Sequence, residues 1–378
     1  MFVHQNQLEF LLPTEAYSSE SQFQIERERL FLPGWHPVGT RQDLPRSGDF
    51  LTCELFGEPV LVRNFGGTLC AFQNVCAHRH CLLTHEPKGN SDKLRCQYHG
   101  WEYDQTGFTR NIPDARCFRP FDREHSHLVK YRLEMLGDVI FVSLAEDGPS
   151  LREYLDPYFD HLAERFSAPA WRQKYPWEYN CPSNWKVPAE NTLESYHIPH
   201  LHASSFGGLY PSEEESSHEM THRYTALTYN SGEDPRVRTW QARFTRWLGG
   251  EATNVYRHFH FHPNLILVTT DVFGYILMYH PTSPRSTRIW LRMFNFRGTM
   301  RGIWPACLAW IAGTIGKRTM KQIQLEDLGI FADQQKGLEA SRHPGCIGTR
   351  EERIHAFQGY LLAECGQPSR QVEPAAVP

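Results

Sequence analysis

Three things missing from this chain narrow its function before any motif is read. It has no glycine-rich nucleotide fingerprint, so it is not expected to bind NAD(P)H or flavin itself. Excess positive charge is also missing: 39 Lys and Arg against 43 Asp and Glu leave a formal charge of −4, without the basic footprint of a nucleic-acid or anionic-lipid binder. A long apolar run is lacking too. The best candidate, Ile303 to Ile315, is roughly a dozen residues, whereas a membrane span needs about 20. The first residues, Met1 to Gln7, show neither the basic flank nor the apolar segment of an export signal. The expectation is a soluble cytoplasmic protein whose partners are small molecules or other proteins, with no nucleic acid and no membrane. Internal repeats and low-complexity tracts are absent as well.

What is present begins with 10 cysteines and 20 histidines. Without an export signal a disulfide framework has little support. Cys53, Cys70, Cys81, Cys117, Cys181, Cys307, Cys346 and Cys365 are expected to be buried thiols. Residues 35–145 hold short β-type runs bounded by turn formers, among them Pro59–Arg63, Thr68–Phe72, Tyr131–Met135 and Val139–Ser143. Such spacing predicts a small antiparallel domain. Ser19–Leu32 and Ser150–Phe166 read as helices around it. From about 170 the runs lengthen, at 265–270, 273–279 and 287–294, and a helix comes next over about 320–340. That order predicts α+β architecture, an antiparallel sheet covered by helices, for a second domain over 1–34 and 146–366. The tail, 367–378, with three prolines, reads as disordered.

Two short clusters stand inside the first domain. Cys76-Ala77-His78 and Cys96-Gln97-Tyr98-His99 are separated by 17 residues, and each offers one thiolate and one imidazole. A Rieske [2Fe-2S] centre takes two cysteines on one iron and two histidines on the other, so two such loops suit it. A Cys₂His₂ zinc site uses the same donors. Zinc motifs commonly keep like ligands together along the chain, however, and here they are interleaved.

A second centre lies at Asn184 to His202. Pro188 is tolerated in a first helical turn, after which Glu190, Glu194 and His197 fall at i, i+4 and i+7 on one face. Pro199 is expected to end that helix. His202, five residues beyond His197, would point about 140° away on a continuous helix, so a break between them is expected if both are to reach one ion. Two histidines and a carboxylate with open positions form the facial triad of non-haem Fe(II) oxygenases. On the later helix Asp327 shares a face with Phe331, Gln334 and Leu338, which favours it over Glu326 as the carboxylate. His200 remains a chemical rival to His202.

Both centres resemble the motifs of Rieske non-haem iron oxygenase alpha subunits, the aromatic-ring-hydroxylating dioxygenase family, over about Trp35 to Leu362. In that family the loops usually read CxHRG and CPYHGW, so His80 stands here for glycine and Gln97 for proline. The resemblance implies a Rieske domain at 35–145 with Cys76, His78, Cys96 and His99 on the [2Fe-2S] cluster. It also implies a catalytic domain with His197, His202 and Asp327 on a mononuclear Fe(II), and Asn191 and Glu194 as further site residues. Glu194 takes the place of a carboxylate that bridges a cluster histidine of one subunit to an iron histidine of its neighbour in a ring of three. A glutamate there resembles the branch acting on quaternary amines such as carnitine. The activity implied is that of a terminal oxygenase using O₂ and electrons from a separate NAD(P)H-dependent reductase, with ferredoxin or flavin as carrier. Hydroxylation or oxidative dealkylation of a small organic molecule is preferred, and arene cis-dihydroxylation is the alternative. A Rieske electron carrier and a non-catalytic ligand-binding protein are further rivals.

The pocket region, 206–300, contains Tyr224, Tyr229, Trp240, Trp247, Tyr256, Phe273, Tyr275 and Tyr279, which could cage a cation or stack on a ring. Arg236, Arg238, Arg243 and Arg246 could meet a carboxylate, although a solvated basic face is the plainer reading. His258, His260 and His262 alternate along a strand and are expected to form a polar face, with metal binding as the lesser alternative.

Overall fold

The structure, a computed structural model, describes residues 2–122, 126–205, 214–230, 235–300 and 302–366. The expected disordered tail at 367–378 therefore lies outside the described residues. The chain divides into two compact units, 31–163 and 1–30 with 164–378.

The strand Glu58–Phe65 of the smaller unit is buried on both faces: period two sends Val60 and Val62 to one side and Leu61 to the other, into different core clusters. Seven strands form an antiparallel sheet in the order His36–Thr40, Val139–Ser143, Lys130–Leu136, Thr68–Gln73, Glu58–Phe65, Asp49–Leu55, Lys88–Asn90. Val38, Leu51, Val60, Val62, Ala71, Ile140 and Val142 form one core cluster. A second cluster joins Leu61, Phe72, Leu83, Leu94, Trp101 and Tyr103 to Cys76 and Cys96. A separate three-stranded sheet, Leu94–Arg95, Glu102–Tyr103 and Thr109–Asn111, carries the second ligand loop at its first turn. Glu102 pins that turn from below through Lys93 Nζ at 2.9 Å and Arg95 Nε at 3.0 Å.

The larger unit is built on a seven-stranded antiparallel sheet in the order Trp171–Cys181, Ser286–Phe296, Phe273–Ser283, Leu265–Thr269, Val255–Phe261, Tyr224–Asn230, Ser217–Met220. Directly paired residues share a face. The register Leu227↔His258, His258↔Val268 and Val268↔Tyr275 therefore runs one row of side chains across four strands. The long helix Ile303–Ala340 buries Met320, Gln324, Asp327, Phe331 and Gln335, a stripe at steps of three and four. Gly316 faces the sheet on this side, where a Cβ would come within 2.7 Å of the flexible end of Met293. Beneath the site, Lys186 and Glu26, each 1% exposed, pair at 2.6 Å, and the Trp185 indole donates to Glu26 at 2.7 Å.

Several expectations need correction. Ser150–Phe166 is two helices, Leu151–Leu155 and Phe159–Arg165, interrupted at Pro157. Most of that stretch belongs to the smaller unit, since the Leu151 amide donates to Glu134 and Leu151, Leu155 and Leu162 are buried. The helix expected over about 320–340 starts at Ile303. Its buried face passes through Gln335, leaving Gln334 exposed, because Gln335 is the residue that reaches Asn184 N and Tyr17 O. Of the eight remaining thiols, Cys117, Cys307 and Cys346 are exposed.

Candidate active site

In the smaller unit the two ligand loops each close with one tight turn. The His80 amide donates to Cys76 O at 3.0 Å and the Gly100 amide to Cys96 O at 3.1 Å. Both turns end in left-handed backbone, φ +58° at His80 and +74° at Gly100. His80 thus adopts the conformation that glycine reaches more cheaply. Gln97 uses an amide hydrogen that proline lacks, donating to Leu83 O at 3.1 Å, and its side chain meets His85 Nδ1 at 2.7 Å.

The loops bring like donors together. The Cys76 and Cys96 thiols interact directly, and the His78 and His99 rings meet edge-on at 4.6 Å. This Cys–Cys and His–His pairing matches two irons with different ligand sets. His78 stacks on Trp101 at 4.8 Å, with Phe118 against its edge. Its Nδ1 is shielded from solvent with no hydrogen-bond partner among the described residues, as expected of a nitrogen reserved for a metal. Tyr103 Oη lies 3.0 Å from Cys76 Sγ and 3.2 Å from the Ala77 amide, so it orients the thiol. Burial raises the Cys76 pKa, and burial with the nearby His99 lowers that of His78.

In the larger unit the helix that starts at Lys186 stops at Asn191, and the chain turns before a single helical turn at Ile198–Leu201. Glu190, Glu194 and His197 therefore do not share one helical face. Glu190 turns into the core, accepting from Tyr17 Oη at 2.6 Å and Gln358 Nε2 at 2.9 Å. Pro199 opens the second turn rather than ending the first helix. No break separates the two histidines either, because the Leu201 amide donates to His197 O and the His202 amide to Ile198 O. His197 and His202 flank that turn, and the reach of their rings brings them together at 5.2 Å between centroids.

Among the described residues, one group of three donors has ligand atoms all within 4.8 Å of one another: His197, His202 and Asp327. Asp327 Oδ1 lies 2.9 Å from His202 Nε2 and 3.8 Å from His197 Nε2. The outer nitrogens are held by carboxylates, His197 Nδ1 by Glu194 and His202 Nδ1 by Glu326 at 2.7 Å. A carboxylate only accepts, so each Nδ1 carries a hydrogen, and Nε2 is the nitrogen that each ring would offer to a metal held with Asp327. Burial disfavours protonation of His202, but its bonds to Asp327 and Glu326 outweigh that and raise its pKa. The donor set and tautomers fit a 2-His-1-carboxylate iron site. Asn191 Nδ2 donates to Asp327 Oδ1 at 3.2 Å, which restrains the carboxylate. His200 is exposed and does not join the group.

A cavity of about 100 Å³ opens beside the trio. Its sheet wall is the face that carries the four-strand row: Leu227, Tyr256, His258, Tyr275 and Leu277. Ile198 and Ile323 add apolar surface, and Arg353 projects from the helix Glu352–Cys365. Of the expected aromatics, Tyr256 and Tyr275 line the cavity, Tyr224 and Tyr279 are buried, and Trp247 is exposed. Arg243 and Arg246 are exposed on the helix Pro235–Trp247, whereas Trp240, Arg236 and Arg238 lie outside the described side chains. His258, His260 and His262 share a strand face as expected, but that face is buried.

Sequence reasoning missed Arg353, the grip of Glu326 on His202, and Ser205, whose hydroxyl donates to Glu326 at 2.6 Å. For Arg353 the sequence offers no signal beyond one basic residue in an amphipathic helix. For Glu326 the adjacency to Asp327 was a signal, read only as competition for one role.

Comparison with known proteins agrees with both centres. A ring hydroxylating alpha subunit (catalytic domain) model matches residues 168–366, and a Rieske [2Fe-2S] domain model matches 34–131. The chlorobenzene dioxygenase alpha subunit of Cupriavidus sp. (strain PS12) is 33% identical over 187 residues, 48% of this chain and 42% of that one. The N,N-dimethyl phenylurea N-demethylase alpha subunit of Sphingobium sp. (strain YBL2) is 32% identical over 202 residues, 51% of this chain and 44% of the other. These matches span less than half the length of the curated relatives. The fold is that of a quaternary ammonium Rieske monooxygenase solved with L-carnitine, at TM-score 0.76 and 20% identity, covering 94% of this chain and 96% of that one.

Proposed function

Because the chain belongs to the ring-hydroxylating alpha-subunit family and carries a Rieske [2Fe-2S] domain, we propose that it is the terminal oxygenase of a multicomponent system. A separate NAD(P)H-dependent reductase, directly or through a ferredoxin, would supply the electrons. The reaction proposed is hydroxylation or oxidative dealkylation of a small organic molecule. The observation that carries this reading is the His197, His202 and Asp327 group beside a cavity in a chain that also has both Rieske loops.

Cys76 and Cys96 would hold one iron of the cluster, His78 and His99 the other, and His197, His202 and Asp327 a mononuclear Fe(II). When bound, the cluster stores electrons and the mononuclear iron activates O₂ for attack on substrate carbon. The chain's own work is positioning. Glu194 and Glu326 keep both histidines in the metal-binding tautomer. Asn191 steadies Asp327, and Leu227, Leu277, Ile198 and Ile323 keep water away from the reacting face. Glu194 is further proposed as the carboxylate that couples His197 to a cluster histidine of the neighbouring subunit in a trimer.

The N-demethylase relative and the quaternary ammonium neighbour support monooxygenation. The chlorobenzene dioxygenase relative favours cis-dihydroxylation as the second reading. Labelled O₂ separates them, since one or two labelled oxygens enter the product. The reading itself is tested by iron content and spectrum: about three irons per chain, two in the cluster and one outside it, with a visible Rieske band. His202→Ala should lose about one iron and all turnover while keeping that band. About two irons in the wild type would return the protein to an electron carrier or a binding protein.

A further inference from the structure

We propose that one end of the larger unit, where the helix Ile303–Ala340 begins beside the close of the helix Pro235–Trp247, lies in the headgroup layer of an anionic phospholipid bilayer. This face stands apart from the oxygenase site. Trp304 and Ile311 precede Asp327 by 23 and 16 residues on the same helix, roughly 35 and 24 Å along its axis.

The start of the long helix is apolar without being packed. Its buried positions begin only at Gly313, so residues 303–312, with two tryptophans and two isoleucines, include no buried residue. Ile303 is 80% and Trp304 81% exposed, and Trp310, Ile311 and Ile315 are exposed as well. Steps of seven and four keep Trp304, Ile311 and Ile315 on one face. The sheet side is already filled: a Cβ on Gly313 would lie 3.2 Å from two carbons of the Lys174 side chain, whose Nζ sits 5.3 Å over the Trp310 ring. The second helix extends the apolar surface. The Thr299 and Met300 amides donate to Leu248 O at 3.0 and 3.3 Å, which brings the exposed Met300 to the helix end that carries the exposed Trp247. Contiguous exposed apolar residues of this kind mark an interaction surface.

Charge identifies what covers it. Over 297–321 the sequence has five Lys or Arg and no Asp or Glu, and over 235–250 it has four and none, in a chain whose formal charge is −4. Arg243, Arg246, Arg297, Lys317, Arg318 and Lys321 are exposed. Tryptophan beside Lys and Arg suits the bilayer interface, where indoles sit at headgroup depth and the cations meet anionic lipids. A helix with apolar residues along one face lies in that plane. Among the described residues, no helix is long and apolar enough to cross a membrane. A second copy docked face to face would set these cations against their own counterparts, and such like-charge contacts are costly.

The test is flotation of the purified holoprotein with vesicles of phosphatidylcholine, alone or mixed with phosphatidylserine. The mixed vesicles should bind at least about tenfold more tightly, and about 1 M salt should remove that difference. Arg318→Gln with Lys321→Gln should weaken binding to the mixed vesicles by about 25-fold, roughly fivefold for each charge. Trp304→Glu with Ile311→Glu should weaken binding to both kinds at least about tenfold. Brominated acyl chains should quench part of the wild-type tryptophan fluorescence, and Trp304→Phe should reduce the quenched part. The visible spectrum of each variant reports its folding; where the Trp304→Glu, Ile311→Glu protein fails to fold, the salt dependence and the bromolipid quenching of the wild type decide. No flotation of the wild type with mixed vesicles, no effect of salt on it, or undiminished flotation of the Trp304→Glu, Ile311→Glu protein would overturn the proposal. So would a smaller oligomer of that variant by light scattering, which would show that a second copy covers the face.

Discussion

At the scale of single residues, the chemistry depends on which nitrogen of each histidine carries the hydrogen, and two glutamates decide it. Asp327 and Glu326 are neighbours on one helix, yet one reaches His202 Nε2 and the other His202 Nδ1. Helical periodicity showed which faces inward more directly, but it could not show that the second wraps around the same imidazole. That required the course of residues 198–205 over the helix, a tertiary fact. Substitution should therefore give a graded series in mononuclear iron content. Asp327→Ala removes a ligand and should empty the site. Glu326→Ala leaves the ligands but frees the ring, and such supporting changes typically cost about 10–100-fold in metal affinity or activity. Asp333→Ala, on a carboxylate 77% exposed, should change nothing. Equal iron in the first and third variants would remove Asp327 from the proposed ligand set.

At the scale of elements, strands were more legible than helices. Runs of β-branched, aromatic and other apolar residues located Leu265–Thr269, Phe273–Ser283 and Ser286–Phe296 closely because strand preference is a local property. The helix through Pro188 was drawn too long because its end is set by Glu190 turning toward Tyr17 and Gln358, residues at opposite ends of the chain. The same limitation applies to the histidine strand. Its alternation was visible, but its burial depends on the last helix, which lays Arg353 on His258 and Phe357 on His260 and His262.

That burial has a consequence for acid stability. Burial lowers the His262 pKa to about 3, and those of His258 and His260 fall well below 6.5. A histidine whose folded pKa is depressed takes up its proton more readily when unfolded. Its contribution to stability is complete above about pH 6.5 and is lost as the pH falls below that value, by up to about 1.4 kcal/mol per pH unit for each group. The urea midpoint should therefore drop between pH 7.5 and 5.5, and His262→Gln should show a shallower drop. A midpoint independent of pH over that range would mean that these histidines are not neutral in the fold. Lower in the same unit, Lys186→Met strands Glu26 as an uncompensated buried carboxylate. Loss of one partner of a buried pair costs about 3–5 kcal/mol, which chemical denaturation would resolve; a change under about 1 kcal/mol would show that the Lys186–Glu26 contact carries little.

At the scale of the whole molecule, the two proposed metal centres lie on two separately packed units, and the proposed turnover would require electrons to pass from one to the other. The path proposed for that passage runs between neighbouring subunits of a trimer, with Glu194 at the crossing. The position of Glu194 on His197 Nδ1 suits that role, because it touches a proposed iron ligand from the side away from the metal. Glu194→Gln keeps the size and some hydrogen bonding of the side chain but removes its charge. Both metals should stay bound while reduction of the mononuclear site by the cluster slows, which single-turnover spectroscopy of the Rieske band would follow. A sharper test mixes two inactive parents: Cys96→Ala chains, which lack the cluster, and His202→Ala chains, which lack the mononuclear iron. If electrons cross between subunits, a mixed trimer contains an intact cluster facing an intact iron site across at least one interface, and activity returns that neither parent has. If they travel within one chain, every chain of the mixture remains broken at one end. Mixed trimers proven by differential tags that stay inactive would therefore place the path inside the subunit and remove the intersubunit role from Glu194, leaving it as the residue that sets the tautomer of His197.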